Sequence, residues 1–275
     1  MTERQNKEII AKLQEKQVPI EGITVEEWQQ KKIDNFNNSV GYQNEIDGYN
    51  CDICKNKEFV ALLDKDGNEV HHYCKCHRIR EMLRRAQRSG LGNILTDYTF
   101  DKFIAPEDWQ KANKTKAMEF CKDNKAHWFF IGGQVGSGKT HLCTAICAHY
   151  IEAGVDTQYM LWVEEAKKLK ALITDFSEYQ NLIDRYKKVD VLYIDDFLKV
   201  KNGEEPTPAD INLAFELLNH RLLSMDKITI ISSEKTLFDL LRYDEATMSR
   251  IFKACGRYKV NIEKDINKNY RLKDI

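Results

Sequence analysis

The sequence predicts an α/β protein whose parallel sheet carries helices on both faces, preceded by a small cysteine-rich module and a helical arm. Three observations predict this. From about Thr96 onward, short apolar strand segments alternate with helical patterns, the signature of a parallel sheet with crossover helices. A glycine-rich loop joins one of these strands to a helix. Ahead of them, two close pairs of cysteines flank a hairpin-like stretch.

Composition sets the outer limits. The chain has 275 residues, 42% hydrophobic and 31% charged, enough for one full domain and a smaller unit. A net charge of -1 argues against a globally basic nucleic-acid binder and leaves room for a local basic patch. The N-terminal stretch is charged and has no apolar core of the signal-peptide kind. No apolar run approaches the ~20 residues that cross a bilayer. A soluble cytoplasmic protein is expected, and in that compartment clustered cysteines read as metal ligands before disulfides.

Residues 1–46 read as a polar helical arm, either mobile or a docking element for a partner. One helix is expected near Glu8 to Lys16. A second begins after Thr24, with Glu27 three residues on completing a capping box. Residues 47–90 read as a metal module followed by a basic helix. Phe59 to Leu63 and Glu69 to Tyr73 are strands around an Asp66-Gly67-Asn68 turn. Cys51-x-x-Cys54 precedes this hairpin and Cys74-x-Cys76 follows it, so four thiolates can close a tetrahedral zinc site. The second pair has one intervening residue where two are usual, and His77, His71 or His72 is an alternative fourth ligand. A module this small has little core, so metal would supply much of its folding free energy. Arg78, Arg80, Arg84, Arg85 and Arg88, opposed by Glu81 alone, form a helix ended by Gly90. That helix reads either as a solvated face or as a phosphate-contacting patch.

Residues 91–275 form the α/β domain. Strands are expected at His127 to Ile131, Thr157 to Leu161, Val189 to Ile194, Lys227 to Ser232 and Tyr258 to Ile262. Helices start near Lys139, Val163, Pro208 and Asp244, with Thr207-Pro208 a favourable cap and first-turn pair. The remaining cysteines, Cys121, Cys143, Cys147 and Cys255, read as core packing. His141 and His149 read as helix residues rather than metal ligands.

The strongest motif is Gly133-Gln134-Val135-Gly136-Ser137-Gly138-Lys139-Thr140, a complete G-x-x-x-x-G-K-[ST] loop after an apolar strand and before a helix. Its glycines let main-chain N–H groups converge on phosphate oxygens, and the helix that continues through His141 adds its positive end. Lys139 is placed for the β- and γ-phosphates of ATP or ADP, and Thr140 for Mg²⁺. The apolar strand Val189 to Ile194 ends in Asp195-Asp196. Asp195 is expected to hold Mg²⁺, and Asp196 to orient or deprotonate the attacking water.

With these motifs in place, the chain resembles the DnaC/DnaI-type helicase loaders and the related IstB-like ATPases of the AAA+ class. The likeness spans about residues 90 to 275, and the cysteine-bearing front resembles DnaI-like proteins of bacteria and phages. Tyr98-Thr99-Phe100-Asp101-Lys102-Phe103 resembles the segment that lies near the adenine in this family and in DnaA-like initiators. Ile230-Ile231-Ser232-Ser233-Glu234 resembles the sensor-1 strand end, where Asn is usual; the resemblance implies a nucleotide contact at Ser233. Met248-Ser249-Arg250-Ile251 resembles the box carrying an arginine finger, and Asn269-Tyr270-Arg271-Leu272 the stretch with a sensor-2-like arginine.

The resemblance further implies a RecA-like parallel sheet without a helical C-terminal lid. It implies an inserted helix within 163–188 that helps hold single-stranded DNA, where Lys167, Lys168 and Lys170 are available. An arginine acting on a neighbouring subunit's γ-phosphate makes hydrolysis depend on self-association.

The expected function is ATP-dependent loading of a hexameric replicative helicase onto single-stranded DNA, with slow ATP hydrolysis as the switch. The alternatives are an IstB-type transposition helper and a nucleotide-gated adaptor without turnover.

Overall fold

The structure is a computed structural model describing residues 23–88, 97–200, 204–224 and 226–272. The expected helix at Glu8 to Lys16, and Gly90 as a helix end, lie outside the described residues. The chain divides into two compact units, the first ending at His77 and the second starting at Arg78. That boundary falls inside a helix and earlier than residue 90.

In the first unit, helix α1 (Val25–Asn38) starts with the expected capping box. The Glu27 amide donates to Thr24 Oγ1 at 3.1 Å, and the Thr24 amide donates to the Glu27 carboxylate at 3.0 Å. Strands β1 (Phe59–Leu63) and β2 (Glu69–Tyr73) pair antiparallel, with Phe59 opposite Tyr73 and Leu63 opposite Glu69. Asn37 ties α1 to the hairpin: its amide group donates to the Ala61 carbonyl and accepts from the Ala61 amide, both at 2.9 Å. The arm from Val25 onward is therefore built into this unit and is not separated from it at residue 46. A short helix α2 (Gln43–Asp47) follows α1. The core of the unit is the four cysteines, with Tyr49 and Val60 packed on them.

Helix α3 (Cys76–Arg88) crosses into the second unit. There the expected strands appear as β3 (Trp128–Gly133), β4 (Thr157–Leu161), β5 (Val191–Asp195), β6 (Ile228–Ser233) and β7 (Lys259–Ile262). All are parallel, in the order β4-β5-β6-β3-β7. They are near-continuous apolar runs because both faces are covered. Trp128, Phe130, Leu192, Ile194 and Ile231 enter one core cluster. That cluster also takes residues of α6 (Trp162–Ala171), α7 (Phe176–Lys188), α8 (Pro208–Leu222) and α10 (Glu245–Cys255), while the short α9 (Leu237–Leu241) contributes Leu240. On the opposite side Phe129 meets Phe120 of α4 (Asp108–Lys122), ring centroids 5.4 Å apart, and α4 packs on α5 (Lys139–Glu152). Cys143, Cys147 and Cys255 are buried in this unit.

Two features depart from expectation. Helix α4 carries no conventional cap residue, since Glu107 occupies that position and closes a capping box with Gln110. The polar stretch 163–188 is two helices, divided before Asp175, whose carboxylate accepts from the Glu178 amide at 3.2 Å.

Candidate functional site

The β3-to-α5 connection forms the loop that the sequence predicts. Gly133 has φ 108°, and a side chain there would run into the Ile262 carbonyl, so glycine is required both for the turn and for the approach of β7. Gly138 has φ 85°, and a β-carbon on it would lie 2.7 Å from the Phe103 ring. The loop opens onto a cavity of about 460 Å³. Val135, Gly136, Ser137, Gly138, Lys139, Thr140 and His141 line it, as do Asp195, Asp196 and Arg271; Gly133, Gln134 and Ser233 do not.

At the centre Lys139 is buried, and its ammonium donates to the carbonyls of Gly133 (2.9 Å) and Gln134 (2.6 Å). Burial pulls its pKa down, while Glu234, Asp196 and Asp195 work in the opposite sense. Thr140 Oγ1 donates to Asp195 Oδ1 at 3.3 Å. Asp195 also accepts from Tyr159 Oη at 3.1 Å and from the Ser232 hydroxyl. A hydroxyl and a carboxylate so placed offer oxygen ligands of the kind Mg²⁺ takes, and the lysine offers a positive charge. Asp196 follows at φ 53°, its carboxylate on Lys199 Nζ at 2.9 Å. Burial first, and Asp195 second, push the Asp196 pKa up.

At one end of the cavity, aromatic groups gather. Tyr98 stacks on His141 at 4.8 Å and Phe103 meets it edge-on at 5.1 Å. A ring nitrogen of His141 pairs with the Thr99 carbonyl at 2.8 Å, and burial lowers its pKa, so the imidazole is neutral at pH 7. These flat faces suit a nucleobase. The C-terminal segment crosses the loop: the Tyr270 amide donates to the Gly136 carbonyl at 2.9 Å and the Asp265 amide to Gln134 Oε1 at 2.9 Å. The side chain of Asn269 lies where a β-carbon of residue 136 would be. Tyr270 Oη donates to Gln110 Oε1 at 3.2 Å, which brings α4 to the same cavity.

Several sequence-predicted residues fall elsewhere. Ser233 is fully buried, its hydroxyl on the Phe197 carbonyl at 2.8 Å, and it is Glu234 that reaches the cavity. The strand-end register is thus displaced by one residue from the Ser233 expectation. Arg250 is exposed on α10 and donates to Asn219 Oδ1 at 3.2 Å, outside the cavity lining. Of the three lysines proposed for single-stranded DNA, Lys168 pairs with Glu165 (2.7 Å) and Lys170 with the buried Asp210 (2.6 Å). Lys167 is exposed. Arg80 is fully buried and belongs neither to a solvated face nor to a phosphate patch. Sequence reasoning missed Lys199, Gln110 and Tyr159, which carry no periodic or motif signal.

The cysteine cluster is compact. The sulfurs of Cys51, Cys54, Cys74 and Cys76 lie within 4.8 Å of one another, and all four residues are buried. Cys51 and Cys74 are 3.7 Å apart and Cys54 and Cys76 3.5 Å, too far for disulfides. A tetrahedral Zn–S distance of about 2.3 Å implies sulfur separations of roughly 3.8 Å, so the set fits that ion. The Glu58 amide donates to Cys54 Sγ at 3.3 Å, a bond that favours thiolate. The histidine alternatives drop out of this cluster: His77 pairs with Glu58 at 2.6 Å and His71 with Glu69 at 2.8 Å, and the cluster comprises cysteines alone among the described residues.

Comparison with known proteins places the α/β domain in a family. The profile of the Bacterial DnaA ATPase domain matches residues 94–255. The YqaM protein of Bacillus subtilis (strain 168) is 35% identical over 212 residues, 73% of this chain and 66% of its own length. The phage-like element PBSX protein XkdC of the same organism is 32% identical over 225 residues, covering 78% of this chain and 83% of XkdC. AMPPCP-bound DnaA from Aquifex aeolicus superposes with a TM-score of 0.50 at 22% identity, over 63% of this chain and 52% of that one, a likeness of fold. The chain therefore spans about half of that DnaA chain and just under two thirds of YqaM. Phosphate loop, paired strand-end carboxylates and profile match coincide in one domain, and the chain belongs to the bacterial DnaA family of AAA+ ATPases.

Proposed function

We propose that this chain is an ATP-dependent loader of a hexameric replicative helicase onto single-stranded DNA, acting in the cytoplasm with slow ATP hydrolysis as its switch. The observation that carries the reading is the meeting of Lys139, Thr140 and Asp195 in one cavity, within a chain that also carries a separate cysteine-cored unit. A nucleotide grip joined to a second compact unit suits a protein whose ATP state governs a grip on a partner.

In this reading the main-chain amides of residues 133–140 and the Lys139 ammonium hold the phosphates, and Thr140 and Asp195 hold Mg²⁺, which neutralises phosphate charge. Tyr98, Phe103 and His141 enclose the base, and Arg271 faces the triphosphate from the C-terminal segment. Cys51, Cys54, Cys74 and Cys76 hold a structural Zn²⁺ that stabilises the first unit. Arg250, exposed and remote from its own cavity, serves a neighbouring copy and makes turnover depend on assembly. Asp196 is shorter than glutamate and is committed to Lys199, which supports slow hydrolysis. No helix among the described residues is long and apolar enough to cross a membrane.

The test is capture of the purified host replicative helicase by the full chain, with ATP and with ADP, alongside phosphate release with and without single-stranded DNA. Nucleotide-dependent capture and DNA-responsive release are expected. Absence of capture in both nucleotide states removes the loader reading. Phosphate release of zero in all conditions, with binding retained, favours the adaptor.

A further inference from the structure

Strands β5 and β6 are paired neighbours running the same way, so their carboxyl ends deliver side chains to one place. Asp195 and Asp196 arrive from β5 and Glu234 from the end of β6, and all three line the nucleotide cavity. Three carboxylates facing one cavity repel one another and the triphosphate it is built for. Two of them are paired directly with a cation. Lys199, from the turn after β5, places its ammonium 2.9 Å from Asp196 Oδ2 and 2.8 Å from Glu234 Oε1. All three partners are about one-third exposed, at 36%, 27% and 33%, and Lys199 lines the cavity too.

The two bridged carboxylates are not equivalent. Asp196 sits at φ 53°, and its amide donates to Asp195 Oδ1 at 3.0 Å and Ser232 Oγ at 3.3 Å, so its short side chain hangs from a backbone fixed by those bonds. Glu234 has one methylene more. Its neighbour Ser233 is turned inward to the Phe197 carbonyl, which leaves Glu234 to face the cavity. Glu234 thus faces the cavity from the end of β6, where it lines the same space as Lys139, the group placed for the β- and γ-phosphates.

We propose that Glu234 is a catalytic residue that accepts a hydrogen bond from the attacking water, and that Lys199 is the positioning residue that holds Glu234 and Asp196 at the terminal phosphate. The inference rests on the ATPase reading above. In the step concerned, the water oxygen bonds to the γ-phosphorus while the bond from that phosphorus to the β–γ bridging oxygen breaks. The bridging oxygen keeps the electron pair and leaves as ADP, and the water's proton ends on the released phosphate. Glu234 fixes the direction of the water's lone pair, and Lys199 fixes Glu234.

The experiment uses the full chain and its Glu234→Gln, Lys199→Met and Lys199→Arg variants. Single-turnover phosphate release and the Kd of a fluorescent ATP analogue are measured with and without single-stranded DNA, beside thermal unfolding of each protein. Glu234→Gln and Lys199→Met are expected to slow release by about 10-fold or more while Kd moves less than about 3-fold, and Lys199→Arg is expected to recover most of the rate. The pair is about one-third exposed, so unfolding temperatures should stay within about 2 °C of wild type, and the loss is then one of positioning and not of fold. Faster release in Lys199→Met marks the lysine as a restraint and overturns the proposal. So does unchanged release in either variant, or a loss in Lys199→Arg as deep as in Lys199→Met. Wild-type protein that binds the analogue and releases no phosphate removes the ATPase reading itself, whereas wild-type turnover indifferent to these variants removes this inference alone.

Discussion

Replacing Arg221 by methionine tests how the sheet that carries the site is held together. Arg221 is fully buried in α8, and its hydrogen bonds among the described residues go to carbonyls and a hydroxyl. Its guanidinium donates to the carbonyls of Ile228 (2.6 Å), Tyr186 (2.9 Å), Val189 (2.9 Å) and Lys187 (3.2 Å), and to Thr229 Oγ1 (2.8 Å). These acceptors are the last turn of α7, the approach to β5 and the start of β6, so one side chain pins three elements at the edge opposite the nucleotide.

Burial pulls the guanidinium pKa down to about 10, with Asp190 and Asp226 pushing back, and it stays protonated at neutral pH. That shift corresponds to a charging penalty of about 3 kcal/mol, which methionine removes. Against it stand four strong carbonyl bonds, each costing about 1–3 kcal/mol when its acceptor is left buried and unpaired, roughly 8 kcal/mol together. The net loss is about 3–5 kcal/mol after water reaches some of the carbonyls. For a unit of this size that lowers the melting temperature by roughly 8–15 °C. Urea unfolding followed by tryptophan fluorescence and far-UV circular dichroism reads the difference. A variant within about 1 kcal/mol of wild type would refute the reasoning, because the carbonyls would then be satisfied without the arginine.

Three further predictions concern the site and the metal. Lys139→Ala should abolish the thermal shift that wild type shows with a magnesium-bound ATP analogue; at 100-fold excess over Kd that shift corresponds to about 2.7 kcal/mol, and a variant that keeps it contradicts the phosphate-loop assignment. Cys51→Ser should leave the protein with less than one equivalent of zinc by elemental analysis and unfold the first unit at a lower temperature, while the second unit's transition stays put; a full zinc complement would reject the four-thiolate site. Arg250→Ala should leave the analogue's Kd within about 2-fold and cut hydrolysis by about 10²-fold or more in assembled protein, read by phosphate release across a range of protein concentrations; normal turnover removes the finger.

What the sequence revealed depended on how local the physics was. The hairpin Phe59 to Tyr73, its Asp66-Gly67-Asn68 turn and the Thr24 capping box were legible to the residue, because each is decided within a few positions by alternation, turn chemistry or a cap. The buried strands β3 to β7 were legible as apolar runs, with every end within two residues and β4 matched at both ends. Helix α4 escaped because its cap is a glutamate and its buried stripe is weak, being Gln110, Ala117 and Phe120. The phosphate loop is readable because glycine spacing and one lysine encode it along the chain. Lys199 and Gln110 meet the cavity, and Tyr159 meets Asp195, only through the order of the parallel strands and the packing of α4, which no local pattern records. Arg80 looked like one more surface charge, since a basic run hides which member turns inward.

The crossing of residues 265–272 over Gln134 and Gly136 makes the phosphate loop a shared part. Two of the loop's hydrogen-bond positions are already spoken for by the chain's own later residues, so any ligand that reshapes the loop must also reset Asp265, Asn269 and Tyr270. A nucleotide that shifted the cradle would therefore be felt some 130 residues downstream, in a segment that touches the loop itself.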